Sequence, residues 1–515
     1  MRIGTNVAAI VANNALQKSQ NNLSTSIERL SSGYKINGSK DDAAGCAISE
    51  KMRAQIRGLS QAQNNTADGV SVLNTAEGAI TEIQSMLTRL KELSVQAAND
   101  VNSDDEREAI QKEIEQINNE IDRISDQTEF NTQSLINGNL SRRVYSDLQG
   151  VNQLSVSDSY TAGVYGITVT EDARQAIAVG AGSITMSSTA SITEEQAGAI
   201  NINGYKISIS EGDTLDKVMG KIIDGVNITG GSAFTVKDLN NDTAANGTDY
   251  AGYVPTADYA GSTLVIMTNQ YGSNQKMNIT CDNAELADIL GIPQAATQDG
   301  IYVEGSDVKA EIATGDDGKR IGFADSAILS TKGTVITVTD VNNKEFSMDV
   351  PGNAAGTVFD DSNNDGQSAA GAGTAKTISQ EVTDVGTMSI HVGANQDQVI
   401  VIDIPAITTY SLGTEHMNVM TQYTASRAIS TVDEAINKTN GIRSRIGAYE
   451  NRFDHTTNNL EVSSENLTKS LSTMIDTDMS EEMTTYTSET VLTQAATSIL
   501  AQANERPSQV LQLLQ

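Results

Sequence analysis

The sequence predicts a mixed fold: a long α-helical coiled-coil rod built from both ends of the chain, carrying a β-rich (α+β) domain inserted between them. Three observations lead there. Helix breakers crowd the middle: of 41 glycines, eight lie before residue 141 and three after residue 400, and no proline occurs before Pro255 or between Pro405 and Pro507. Apolar residues recur at helical spacing toward both ends. Short β-branched runs separated by turn residues fill the centre.

Taken in order, the first 30 residues carry Ile3, Val7 and Ile10, then Leu23, Ile27 and Leu30, on one stripe. Gly33, Gly38, Asp41, Asp42 and Gly45 follow in "SSGYKINGSKDDAAG" and read as a stop between two helices. A looser stripe runs from Ile48 to Val95 through Met52, Leu59, Leu73, Ile80, Ile83, Leu87 and Leu90. Ile110, Ile114, Ile117, Ile121 and Ile124 are spaced 4-3-4-3, a heptad seam. Toward the other end, Ile429, Val432, Ile446, Tyr449, Phe453, Leu460, Leu467 and Met474 hold one stripe. That helix would be roughly 65 Å long, beyond what a compact bundle needs. The last segment brings Leu492, Ile499 and Leu500, then Val510, Leu511, Leu513 and Leu514. Termini are usually polar, so this apolar ending needs a partner.

Many seam positions are Ala, Ser, Thr, Asn or Gln. Faces this sparse need neighbouring copies to complete their burial. Residues 1–30 and 480–515 are therefore expected to be mobile in the free monomer and to order on assembly. The middle offers "YGITVT", "GYKISIS", "STLVIMT", "TVITVTDV" and "KEFSMDV" as strands, and "SEGDTLDKVMGKIIDGV" as a short capped helix. With no Trp and 4% aromatic residues, the main core is expected to be aliphatic and helix-borne.

Composition excludes several functions. Against 34 Lys and Arg stand 66 Asp and Glu, a net charge of −32, which disfavours nucleic acid and anionic lipid as partners. No apolar run is long enough to span a bilayer. The N-terminal stretch lacks the sustained apolar core of a cleaved secretory signal. Cys46 and Cys281 make no disulfide framework. His391, His416 and His455 are scattered, without an HExxH or Cys/His cluster, so no metal and no cofactor are expected. No phosphate-binding loop, dinucleotide fingerprint or nucleophile elbow occurs, and the chain is not read as an enzyme. "DLNNDTAANGTD" and "FDDSNNDGQS" lack the ligand order and closing Glu of a calcium loop and read as solvated.

The terminal motifs resemble bacterial flagellin. They are "NNLSTSIERLSSGYKINGSKDDAAGCAISEKMRAQIRGLSQAQNN", "LTRLKELSVQAAND" and "IQKEIEQINNEIDRISDQTEFN" in the first part. In the last part they are "VDEAINKTNGIRSRIGAYENRFDHTTNNL" and "TSILAQANERPSQVLQLLQ". "HVGANQDQVIVIDI" is similar to the short hairpin of that family, although here it follows the insertion, at His391 to Ile404, where many flagellins have it before. "AININGYKISISEGDTLDKVMGKI" and "GSTLVIMTNQYGSNQKMNIT" resemble the hook IN motif, over about 198–291.

The resemblance implies a division of labour. Residues 1–40 with 475–515 would be terminal inner-tube helices. Residues 41–140 with 388–474 would form an outer-tube rod with a β-hairpin at 391–404. Residues 141–387 would be a variable, surface-exposed region. It further implies a subunit exported unfolded without a cleaved signal peptide and polymerised into the extracellular filament for motility. Self-assembly would fall to Ile3, Val7, Ile10, Leu23, Ile27, Leu30, Leu492, Ile499, Leu500, Val510, Leu511, Leu513 and Leu514. The glycines and aspartates of the stop (Gly33, Gly38, Asp41, Asp42, Gly45) would link inner and outer helices. Implied partners are further copies of the chain, the flagellar export apparatus, an export chaperone, cap and hook-junction proteins, and host Toll-like receptor 5. Arg89 and Leu93, one helical turn apart, with Glu113 on the next helix, would form an exposed receptor-contact patch. A hook–filament junction protein and a secreted adhesin with flagellin-like ends are the alternatives.

Overall fold

The computed structural model describes the chain except residues 1–5, 158–159, 181, 238–258, 260, 293–299, 316–317, 341–343, 353–358, 361–368, 371–374, 384 and 514–515. Its class is the expected one: long helices from both chain ends, with a β-rich region between them. The helices are α1 (Val7–Ser32), α2 (Ala43–Ala97), α3 (Asp104–Gln127), α4 (Leu215–Ile228), α5 (Ala284–Ile289), α6 (Thr409–Leu412), α7 (Gln422–Ile475) and α8 (Met479–Leu513). The chain divides into two compact units. One comprises Met1–Val70, Ile390–Ile400 and Asn451–Gln515; the other comprises Ser71–Ser389 and Val401–Glu450. Both long helices, α2 and α7, contribute to each.

In the first unit α1 and α8 run antiparallel. Asn6 Nδ2 donates to the Ala503 carbonyl at 2.8 Å, Asn22 Nδ2 to Glu489 Oε1 at 2.9 Å and Ser26 Oγ to Glu482 Oε1 at 2.5 Å. The inward face of α1 is Ala9, Ala12, Leu16, Ser19, Leu23, Ser26 and Leu30, spaced 3-4-3-4-3-4. α8 answers with Glu482, Tyr486, Glu489, Thr493, Ala496, Leu500 and Ala503 at the same spacing. This is a heptad seam filled mainly by small and polar residues, so the helices can approach closely while burying little apolar area.

The two helix breaks at the base of this pair are tied together. Gly33, at φ 77°, closes α1 by donating its N–H to the Arg29 carbonyl. Lys35 N donates to the Ile475 carbonyl at 2.6 Å, and Thr477 N donates to the Gly33 carbonyl at 2.9 Å. Asp42 Oδ1 then caps α2 by accepting from the N–H groups of Ala44 and Gly45. A Cβ on Gly45 would stand 2.6 Å from the Asp42 carboxylate, so only glycine fits beneath that cap.

In the second unit α2 presents Leu73, Ala76, Ile80, Ile83, Leu87, Leu90, Ser94 and Ala97, an unbroken heptad seam with every member at most 1% exposed. Arg443 of α7 reaches Glu77 at 2.6 Å, and Lys91 reaches Asp433 at 2.6 Å. α3 starts in a capping box between Ser103 and Glu106. Its buried face differs from the expected one. Arg107, Ile110, Ile114, Asn118, Ile121 and Ser125 are buried, whereas Ile117 and Ile124 are half-buried. The spacing averages close to 3.6, the face of a straight helix rather than a supercoiled seam. Asn118 and Ser125 are drawn inward because they donate to the carbonyls of Thr414 and Ile136.

The inserted region has two cores. In the first, a four-stranded sheet (order Ile301–Glu304, Lys276–Cys281, Gly198–Ile202, Tyr205–Ile209) and a three-stranded sheet (Ile177–Val179, Ser262–Thr268, Gly231–Lys237) share an aliphatic interior with α4 and α5. In the second, two further four-stranded sheets enclose Tyr160, Tyr165, Phe323 and Phe346, whose ring centroids lie 5.0–6.1 Å apart. This adds to the expected aliphatic, helix-borne main core two that are built on sheets, and several of the few aromatic residues gather in one of them, where a small sheet pair needs bulk. All five quoted strand sequences form strands, and Thr214 occupies the N-cap position of α4 without a side-chain capping bond.

Candidate functional site

Two surfaces hold the residues singled out from the sequence. The first is the outer face of the α1–α8 pair. Val7, Ile10 and Val11 fall on the side of α1 opposite its seam and are 65%, 50% and 62% exposed. On α8, Val491, Leu492 and Ile499 are likewise half or more exposed. Ile27 is exposed at the seam's edge, while Leu23, Leu30 and Leu500 are half-buried within it. Assembly candidates thus divide into outward residues and seam residues. Ile3 and Leu514 lie outside the described residues, as do the side chains of Val510, Leu511 and Leu513 on α8. Val11 and Val491 were missed from sequence, although each neighbours an expected position in the helical stripe.

The second surface is on α2 and α3. Arg89 donates from Nε and Nη2 to Glu113 Oε1 at 3.1 and 2.9 Å, and from Nη1 to Glu92 Oε2 at 3.1 Å. These hydrogen bonds, that to Glu113 foremost, push the guanidinium pKa further up. Arg89 and Glu113 are thereby brought together on an exposed face. Leu93 is not part of it. It is 1% exposed, which corrects the expectation of a three-residue exposed patch. Leu93 falls between Arg89 and the buried seam on the helical surface of α2 and is part of the core.

Residues 3–141 match the bacterial flagellin N-terminal helical region, and residues 429–514 match the bacterial flagellin C-terminal helical region. The chain is 32% identical to flagellin of Salmonella typhimurium, covering 99% of each chain. It is 30% identical to polar flagellin A of Vibrio parahaemolyticus, covering 100% of this chain and 99% of the relative. It is also 30% identical to flagellin of Salmonella muenchen, with 99% of each chain covered.

This chain belongs to the bacterial flagellin family.

As a flagellin it is a structural protein, the subunit of the flagellar filament. The full-length likeness to flagellins favours that reading over a junction protein or an adhesin. Among the described residues no His, Cys, Asp and Glu cluster could hold a metal ion, and no helix is long and apolar enough to cross a membrane. Of the two cysteines, Cys281 is buried, which raises its thiol pKa, and Cys46 is half-buried. Most of the two acidic loops weighed as calcium sites falls outside the described residues, at 238–249 and 361–368.

The flagellin stop sequence has a defined task at each position. Asp41 Oδ2 accepts from the N–H groups of Asn37 and Gly38, Asp42 caps α2, Gly33 ends α1, and Gly45 leaves room for the cap. The hairpin sequence pairs Met388–His391 with Val399–Ile402, and Asn65 Nδ2 of α2 donates to the His391 carbonyl at 3.0 Å.

Proposed function

We propose that this flagellin polymerises through the paired helices α1 and α8, whose outward apolar residues are covered by the same helices of neighbouring subunits. The observation that carries this reading is the double face of each helix. One side is used by the intrachain seam, and the other still exposes Val7, Ile10, Val11, Val491, Leu492 and Ile499. A contact of this kind that joins unlike patches and does not close yields a helical polymer. Residues 1–40 with 475–515 are assigned to the inner tube, 41–140 with 388–474 to the outer tube, and 141–387 to the outer surface of the extracellular filament.

Export follows the same logic. A thinly filled seam separates readily, which suits passage of an unfolded chain through the flagellar export channel, escorted by an export chaperone and delivered beneath cap proteins after the hook-junction proteins. No cleaved signal peptide is required on that route.

A second role is favoured by the exposed pair Arg89 and Glu113: contact with host Toll-like receptor 5 by the monomer, with Leu93 supporting the face from beneath. In the polymer the same face is assigned to subunit packing, so the filament wall would not bind the receptor.

The assembly reading is tested with a variant carrying Val7→Ser, Ile10→Ser and Val11→Ser. Seeded polymerisation is followed by electron microscopy, with circular dichroism of the monomer alongside. The expected result is unchanged helicity and no filaments. Normal filaments from the variant would remove the outward face of α1 from the assembly contact.

A further inference from the structure

A cavity in the second unit belongs to neither surface above. It opens between the inserted region, at Asn203, Gly230 and Asn269, and the segment Gly413–Asn418 with the first turns of α7. Its volume is about 440 Å3, the size of a small-molecule site. In a chain of net charge −32, its described lining includes Arg427 and His416 and no carboxylate.

Arg427 lines this cavity from the first turns of α7. It is half-buried, and among the described residues its guanidinium has no carboxylate or carbonyl to donate to. Its one neighbour of note is the Tyr423 ring, with the centroid 6.0 Å away. The ring orients the guanidinium without satisfying its five N–H donors. Its nitrogens keep contact with solvent in the cavity, and burial of the side chain pulls its pKa down. A ligand carboxylate would meet it in a paired, charge-assisted contact.

Asn203, Asn269, Gln270, Gln275 and Asn418 add amides to a wall that also holds threonines, glycines, Met417 and Ala428, and the chain itself holds several of them in place. Gln275 Nε2 donates to Gln270 Oε1 at 2.9 Å, Asn418 Nδ2 to the Ile228 carbonyl at 2.9 Å, and Ser232 Oγ to Asn269 Oδ1 at 2.6 Å. Fixing Asn269 in this way leaves its Nδ2 donor without a partner among the described residues. Amides positioned before binding lose little entropy when they meet a ligand. They match hydroxyl groups, which both donate and accept.

We propose that this cavity binds an acidic sugar, with its carboxylate on Arg427 and its ring hydroxyls on the amides around Asn269. A lone inorganic anion would satisfy the arginine and leave most of the volume and the Asn269 donor unused. An apolar ligand would meet neither group.

The test is calorimetric and saturation-transfer titration of the full-length monomer. The probes are D-glucuronate, D-glucose, which carries a hydroxymethyl group in place of the carboxylate, and inorganic phosphate. Glucuronate is expected to bind in the millimolar range or tighter, with an advantage over glucose of roughly tenfold or more. Arg427→Gln should abolish that advantage, while Arg123→Gln, on the exposed face of α3, should keep it. Asn269→Ala retains the arginine and should weaken both sugars, which keeps the proposal testable if Arg427→Gln folds poorly. Equal binding of glucose and glucuronate would overturn the proposal. So would discrimination retained in Arg427→Gln, phosphate binding as tight as glucuronate, or no saturation up to roughly 50 mM.

Discussion

Arg89 Nη2 and Glu113 Oε1 lie 2.9 Å apart, joining α2 to α3 through side chains that each keep about half of their surface exposed. An ion pair so open to water contributes little to folding. Its donors and acceptors remain free to exchange partners. Arg89→Ala is therefore expected to leave thermal unfolding of the monomer unchanged and to weaken Toll-like receptor 5 binding by roughly tenfold, the effect of removing an interface arginine. Surface plasmon resonance of the monomer checks this, and equal binding by the variant removes Arg89 from the contact.

Leu93 should behave in the opposite way. With 1% of its surface exposed, its truncation to alanine leaves a cavity in the core. The expected cost is about 2–5 kcal/mol of stability, read by urea unfolding. Any loss of receptor binding in Leu93→Ala should track the unfolded fraction. A variant that is fully folded and stable yet defective in binding would restore Leu93 as a contact residue.

Acid should act on Asp213, which is 5% exposed. Lys217 Nζ at 2.8 Å and Lys221 Nζ at 2.6 Å, helped by the Ser210 N–H, hold its carboxyl well below the usual carboxylate range. A depressed folded-state pKa stabilises the fold above the unfolded value of ~3.9, and that contribution is lost as pH falls further. Asp213→Asn should therefore be less stable than the parent at pH 7. The gap should narrow below about pH 4, as the parent's own carboxyl takes up a proton. Thermal unfolding of both proteins across this range gives the answer. A gap that stays constant with pH would deny Asp213 the role.

The inserted region should be removable. Arg143 N donates to the Val385 carbonyl at 2.9 Å, and Thr383 N donates to the Arg143 carbonyl at 3.1 Å. The chain therefore enters and leaves the insertion on adjacent antiparallel strands, whose Cα atoms are about 5.5 Å apart where such bonds pair them. A short Gly/Ser turn can replace everything between. The bonds given up include the exposed Lys332–Glu434 pair, which is worth little. The shortened protein should keep its helicity by circular dichroism and form filaments in seeded assembly. Collapse of the helices would place the insertion within the assembly core.

What the sequence determined by itself is local. Heptad spacing along residues 73–97 fixes which face of α2 is buried, since the period is a property of one helix. The β-branched runs and the cap at Thr214 declare their elements in the same way. The stop at Gly33–Gly45 is legible because glycine and aspartate each have few reasons to occur together at a helix end. The tertiary structure decided what depends on a second element. Leu93 and Arg89 are one turn apart and only about 40° apart around the helix, so spacing alone puts them on one face. The tertiary fold buries the first and leaves the second exposed beside Glu113. Asn118 and Ser125 displace Ile117 and Ile124 from the buried face because backbone carbonyls distant in sequence await their donors. Arg427 reads as an ordinary charged residue of a helix. It becomes an unpaired guanidinium in a polar cavity only once segments some 200 residues apart in the chain close around it. Periodicity is written along the chain, but desolvation is set by whatever the fold brings against each side chain.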